Sequence, residues 1–173
     1  VSPLCDAMAL EGLALISNWL PIAVREPRNM VARGGMLVGS CMAGIAFLKG
    51  LGMVHAISHM VGAEYDTQHG LTNAIILPVV MRYNLPGLKP KVARMGEVMG
   101  ISERTPDGFT AHLEALLDKI DIPKSLAAID VPFDCAPRIA EKALVDSAAA
   151  TNPRQAGVGD VRQMIETAIK AAR

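Results

Sequence analysis

Apolar residues recur at intervals of three and four along nearly the whole chain, which is the spacing of one face of an α-helix. No segment alternates polar and apolar residues convincingly enough to indicate a strand. The pattern therefore predicts an all-α fold, a bundle of about seven to nine helices.

Proline and glycine set the predicted helix limits. Pro21 is expected to end the first helix and Gly62 the third, and Pro78 to kink the fourth. The predicted helices cover residues 5–20, 28–48, 53–61, 71–83, 89–99, 107–120, 137–149 and 159–173, with one turn in 122–130. Residues 34–48 carry no charge but are too few to span a bilayer, so they are predicted to form a buried helix with small-residue faces.

Composition narrows the function classes. The 173 residues fit one domain, and 51% of them are apolar while only 3% are aromatic, which suits closely packed helices. Lys plus Arg equals Asp plus Glu at 17 each, and no basic stripe occurs. Nucleic acid and membrane are therefore not expected as partners.

The cysteines and the first residues of the chain indicate the cellular compartment of the protein. Cys5, Cys41 and Cys135 are scattered and odd in number, so they are expected to be buried, reduced thiols rather than a disulfide framework or a zinc site. The chain begins without Met and without a basic segment leading into an apolar one, so no secretory signal is predicted. A cytoplasmic fragment or processed chain is the expectation.

Three of the four histidines lie close together in the sequence. His55 and His59 are four residues apart and would project from one helical face, and His69 follows a polar break at the head of the next helix. Such an arrangement can converge on a divalent metal, although histidine pairs at this spacing often arise by chance. Spacing alone favours His55 and His59 as the ligand pair, and His112 is expected to be structural.

The segment around these histidines resembles a known family. It carries, in order, Gly50-Leu51-Gly52, Val54-His55-Ala56, His59, Gly62, His69-Gly70, Asn73-Ala74 and Leu77-Pro78. Together they resemble the metal-binding segment of the iron-containing (group III) alcohol dehydrogenases, and residues 3–11 and 151–154 extend the likeness weakly. The resemblance implies a single domain over residues 1–173, the dehydroquinate synthase-like C-terminal helical domain, with the nucleotide-binding half absent.

The resemblance also implies site residues and cofactors. His55 and His69 would be two of four metal ligands, and His59 a catalytic neighbour of nicotinamide and substrate. The family's other two ligands, an aspartate and a histidine four residues on, have no counterpart, because Leu10 stands four residues after Asp6. The metal would be Fe²⁺, with zinc or nickel as alternatives.

The implied enzyme oxidises small alcohols or reduces aldehydes with NAD or NADP. Its cofactor site lies largely in the missing half, so no residue here is assigned to cofactor binding. A homo-oligomer is expected, and this chain alone is expected to be inactive. The alternatives are a non-catalytic helical interaction module and a metal-free relative of the maleylacetate reductase kind, against which the retention of His55 and His69 argues.

Overall fold

The computed structural model describes residues 2–170, which form eight α-helices and no β-strand. The helices are α1 Pro3–Arg25, α2 Met30–Ala46, α3 Met53–Tyr65, α4 His69–Asn84, α5 Lys89–Val98, α6 Pro106–Lys119, α7 Ala136–Val145 and α8 Val158–Lys170. Short 3-10 helices follow α2 and α4 and lie between α6 and α8. The all-α prediction is confirmed, and the predicted end of the last helix at residue 173 lies outside the described residues.

The chain divides into two compact units. The first comprises the residues up to Gly50 together with Leu88–Ile120, and so holds α1, α2, α5 and α6. The second comprises Leu51–Gly87 and the residues from Asp121 onward, and so holds α3, α4, α7 and α8. All of the clustered histidines belong to the second unit.

In the first unit, α1 and α2 form a helical hairpin whose turn is fixed at Asn29. The Asn29 side chain accepts a hydrogen bond from the Ala32 amide at 3.1 Å and caps α2. The prediction that Pro21 ends α1 is wrong, because the helix continues to Arg25. Proline removes only one backbone donor, and packing of α1 along α2 maintains the remaining turn.

Glycine allows these two helices to approach closely. A Cβ atom added at Gly12 would lie 3.0 Å from the Gly39 carbonyl oxygen and 3.2 Å from the Ala43 amide nitrogen. Both neighbours are backbone atoms of α2, so they cannot move aside as a flexible side chain would. The small-residue faces predicted for α2 are thus the surface against which α1 packs.

The outer face of the hairpin is apolar and exposed. Only Ala32 and Gly39 of α2 are buried, so the prediction of a buried helix over 34–48 is wrong: α1 covers one face, while Leu37 on another is 73% exposed. Helices Pro3–Arg25 and Met30–Lys49 are long and apolar enough to cross a membrane, with mean hydropathies of 1.5 and 1.6. Length and composition alone are weak evidence for such a span.

The second unit has a continuous core to which α3, α4, α7 and α8 all contribute. Helix α3 does not end at Gly62 as predicted; it runs on to Tyr65, and Asp66 ends it with φ of 51°. Glu64, on the added turn, accepts hydrogen bonds from Arg138 at 2.8 Å and from Lys142 at 2.6 Å. These contacts tie the end of α3 to α7.

The cysteine expectation is met at two positions of three. Cys5 and Cys135 are buried free thiols, whereas Cys41 is exposed. Cys41 lies on α2, which has only one face covered, so its exposure has the same cause as that of the apolar residues around it.

We expect Gly12→Ala and Gly34→Ala to change stability in opposite directions. Gly34 has nothing within 4 Å of an added Cβ atom, so the alanine should stabilise the chain by about 1 kcal/mol through helix propensity. Gly12→Ala should destabilise it by about 1–3 kcal/mol because the hairpin must open. Urea denaturation followed by circular dichroism measures both. A Gly12→Ala variant as stable as Gly34→Ala would contradict the close approach.

The exposed face of α2 should make the chain self-associate at high micromolar concentration, because it leaves large apolar side chains in water. Replacing Val31, 68% exposed, by Glu and Leu37, 73% exposed, by Lys should shift the population to monomer in light scattering. Val145→Lys is the control, since that residue is 87% exposed in the other unit. A wild-type chain that is already monomeric would refute this expectation.

Candidate metal site

The fold brings the three predicted histidines together. The ring centroids of His55 and His59 are 5.9 Å apart, those of His55 and His69 are 5.3 Å apart, and those of His59 and His69 are 5.5 Å apart. His55 and His59 project from α3 one turn apart, while His69 is the first residue of α4. The predicted convergence of the three imidazoles is therefore found in the structure.

The start of α3 is fixed by a loop from near the other end of the chain. The Gly52 amide donates to Thr151 Oγ1 at 3.2 Å, and the Met53 amide donates to Asn152 Oδ1 at 3.1 Å. These donors are among the first amides of α3, which have no partner within the helix. Gly52 has φ of 78°, and an added Cβ would lie 3.3 Å from Asn152 Oδ1, so glycine suits this entry to the helix.

The same loop also fixes the end of α4. The side chains of Asn152 and Asn84 exchange two hydrogen bonds of 2.9 and 3.0 Å, and Asn84 is only 6% exposed. Arg154 donates to the Tyr83 carbonyl at 2.9 Å, and its guanidinium lies 3.9 Å from the centre of the Tyr83 ring. One loop thus holds both helices that carry the histidines.

Two of the rings have a dedicated polar partner. Ser58 is fully buried, and its Oγ lies 3.1 Å from His69 Nδ1. Asp146, at the end of α7, places Oδ2 3.0 Å from His59 Nδ1, while its Oδ1 accepts from the Ala148 amide at 2.8 Å. In each pair the partner fixes the orientation of the imidazole.

The third polar side chain in the cluster is that of Asn73, one turn after His69 on α4. Its Nδ2 lies 3.0 Å from His69 Nε2 and 3.4 Å from His55 Nε2. Both Nε2 atoms therefore face the same point.

The environment of His55 keeps its ring neutral. Burial lowers the pKa of His55, and the neighbouring rings of His69 and His59 lower it further. A backbone hydrogen bond with Leu51 and the Asp146 carboxylate act in the opposite sense and are the weaker influences. A neutral imidazole is the form that coordinates a metal.

The ring nitrogens of the histidine cluster fit part of a metal site. Nε2 of His55 and Nε2 of His69 meet near one point, whereas Asp146 engages the Nδ1 atom of His59. Within residues 2–170 no group of three or more His, Cys, Asp or Glu side chains could hold a metal ion. The two nitrogens could serve as two ligands of a metal ion, and imidazole nitrogens suit Fe²⁺, Zn²⁺ or Ni²⁺.

Comparison with known proteins identifies the family of the chain. The family described as "Fe-containing alcohol dehydrogenase family, C-terminal" matches residues 1–169. The chain belongs to the iron-containing alcohol dehydrogenase family. It is 33% identical to the NAD-dependent methanol dehydrogenase of Bacillus methanolicus over 97% of this chain and 46% of that protein.

Solved structures give the same result for the fold. A crystal structure of 1,3-propanediol oxidoreductase superimposes with a TM-score of 0.94 at 35% identity, covering 98% of this chain and 46% of that one. Maleylacetate reductase from Agrobacterium tumefaciens superimposes with a TM-score of 0.84 at 26% identity, covering 99% and 47%. The chain spans a little under half the length of these relatives.

Sequence reasoning assigned no role to the polar partners of the rings, although Asn73 lies in the segment that resembles the family. Asn73 could have been found, because it lies four residues after His69 and so shares its helical face. Ser58 gave no signal beyond being a polar residue on the predicted helix. Asp146 is 87 residues from His59, and no local pattern connects them.

Asn152→Ala should lower the free energy of unfolding by about 2–4 kcal/mol. It leaves the Met53 amide and the buried Asn84 side chain without their partner, and each such loss costs about 1–3 kcal/mol. Hydrogen exchange at the Met53 amide should also accelerate. Asn18→Ala, at an exposed position of α1, is the matched control. Unchanged exchange at Met53 would contradict the role of this loop.

Proposed function

We propose that this chain is the metal-binding part of an NAD(P)-linked alcohol dehydrogenase or aldehyde reductase, with His55 and His69 as two of the metal ligands. The observation that carries the proposal is the meeting of the two Nε2 atoms at the Asn73 amide. In this proposal the chain forms one wall of the active-site cleft. A half of the kind that the relatives possess beyond the matched region supplies the nucleotide site.

A divalent metal held by His55 and His69 would supply Lewis acidity toward the oxygen of an alcohol substrate, which is the chemistry that hydride transfer to a nicotinamide requires. The chain's own residues keep the ligand nitrogens available. Ser58 engages Nδ1 of His69, so that the lone pair of Nε2 is turned outward. Burial keeps the His55 ring neutral, and its Nε2 faces the same point.

His59 is proposed to act on the substrate side as a positioning or proton-relay residue. Asp146 holds its Nδ1 at 3.0 Å and so favours the tautomer with a proton on that nitrogen. The other ring nitrogen, Nε2, is then the one able to accept a proton from a hydroxyl group. The side chain of His59 is 35% exposed, so a small alcohol can reach it.

The proposed substrates are small alcohols and aldehydes, and the proposed metal is Fe²⁺, with zinc or nickel as alternatives. The name of the Bacillus methanolicus relative includes NAD dependence, and we propose NAD or NADP here. A cytoplasmic homo-oligomer is proposed for the complete enzyme. The likeness to maleylacetate reductase raises a metal-free alternative, which the paired Nε2 atoms of His55 and His69 make less favourable.

Metal content separates these functions. In a protein in which a nucleotide-binding half precedes this chain, we expect one metal per chain and NAD(P)-dependent alcohol oxidation. His69→Ala should lose the metal and lower turnover by more than about 100-fold, since a ligand matters more than the residues that orient it. His112→Ala is the control, because that histidine belongs to the first unit. A fully active, metal-free protein would refute the proposal.

The chain by itself should show no alcohol turnover and only weak metal binding. Two neutral imidazoles provide no negative charge to offset dehydration of the ion. Tight stoichiometric iron in the 173-residue chain would contradict this expectation.

A further inference from the structure

The side-chain amide of Asn73 lies between the two proposed ligand nitrogens. Its Nδ2 atom is 3.0 Å from His69 Nε2 and 3.4 Å from His55 Nε2, so one nitrogen of the amide contacts both rings. Asn73 is one turn along α4 from His69, which accounts for the nearer contact. A single residue thus contacts both nitrogens.

The neighbours of the rings determine which end of the amide faces them. Ser58 Oγ lies 3.1 Å from Nδ1 of His69, and when that nitrogen carries the ring proton it donates to the hydroxyl oxygen. Nε2 of His69, the nitrogen that faces Asn73, then carries a lone pair. A lone pair requires a donor, which is the NH₂ group and not the carbonyl.

The other end of the amide supports this orientation. Asn73 Oδ1 is buried and has no hydrogen-bond partner among residues 2–170. A buried carbonyl without a partner is unfavourable, so the two imidazoles must favour the observed orientation. The orientation of the Asn73 amide is therefore determined by the contacts of its nitrogen with the two rings and not by any contact of its oxygen.

The spacing matches that of a metal site. Ligand atoms bound at about 2.0–2.1 Å to one ion lie roughly 3.0–3.4 Å from one another. The Asn73 nitrogen stands at such distances from both Nε2 atoms. An anionic atom at this distance from both rings would therefore be close enough to share an ion with them.

We infer that Asn73 is a positioning residue, which holds the Nε2 lone pairs of His55 and His69 on one point before a metal arrives. Its NH₂ group selects the tautomer of both rings that a metal requires, and it must turn aside when the ion binds. This inference rests on the proposed function of His55 and His69. Its test is made without metal, so the two can fail separately.

The test is to measure the tautomer of each imidazole in the metal-free 173-residue chain by two-bond ¹H–¹⁵N correlation spectroscopy at pH 8. In the wild type, Nε2 of His55 and His69 should be unprotonated. Asn73→Asp replaces a donor by an acceptor of the same shape, so Nε2 of His69 should become protonated. Asn73→Leu offers neither a hydrogen-bond donor nor an acceptor, so the His69 ring should populate both tautomers. A role in packing alone would leave the tautomers unchanged.

Controls keep the outcome decisive. Asn18→Asp makes the same chemical change at an exposed position of α1 and should leave both rings as in the wild type. Circular dichroism reports whether each variant folds, and Asn73→Ala replaces Asn73→Leu if the larger side chain prevents folding. Wild-type rings protonated at Nε2, or an Asn73→Asp variant with wild-type tautomers, would overturn the inference.

A zinc titration tests the ligand-like spacing independently. Asn73→Asp adds an anionic oxygen at a distance suited to sharing an ion with both rings, so its affinity for Zn²⁺ should exceed that of the wild type by at least about tenfold. Asn18→Asp should have no such effect. An Asn73→Asp variant that binds Zn²⁺ no better than the wild type would overturn the spacing argument. Loss of zinc binding in His69→Ala bears only on the proposed function.

Discussion

The Asn152 carboxamide is the contact on which the second unit depends most. Its oxygen accepts from the Met53 amide and from Asn84, and its nitrogen donates to Asn84 and to the Arg154 carbonyl. Buried amides at a helix start require partners, and here Asn152 provides the partner of the Met53 amide while Thr151 provides that of the Gly52 amide. His55 follows Met53 by two residues, so this contact fixes the start of the helix that carries its ring.

Each ring of the histidine cluster has a different role because it has a different polar partner. The three ring centroids lie within 6 Å of one another, and the proximity of His69 and His59 is one cause, after burial, of the lowered pKa of His55. Ser58 is an alcohol and Asn73 an amide, and neither brings charge to its ring. Asp146 brings a negative charge to its ring, which is that of His59, the histidine not proposed as a metal ligand.

Much of the fold could be predicted from periodicity, but the ends of several helices could not. Pro21 and Gly62 are strong local stop signals, yet α1 and α3 continue past them because tertiary packing outweighs a cost of about 1–3 kcal/mol. At the site, spacing predicted that His55 and His59 share a face. Only the family resemblance favoured His69 over His59 as a metal ligand. The contact of Asp146 with His59 could not be predicted, because no local sequence pattern connects residues so far apart.

The residues of the site are far apart in the sequence, and this separation determines when the site can form during synthesis of the chain. The carboxylate that orients His59 is added 87 residues after it. At about 5–20 residues per second, a ribosome takes roughly 4–17 s to cover that distance. During this interval the nascent chain carries all three histidines without the partner of one of them. Asp146 can therefore orient His59 only after this interval, so the ordered cluster does not form as soon as its three histidines have been synthesised.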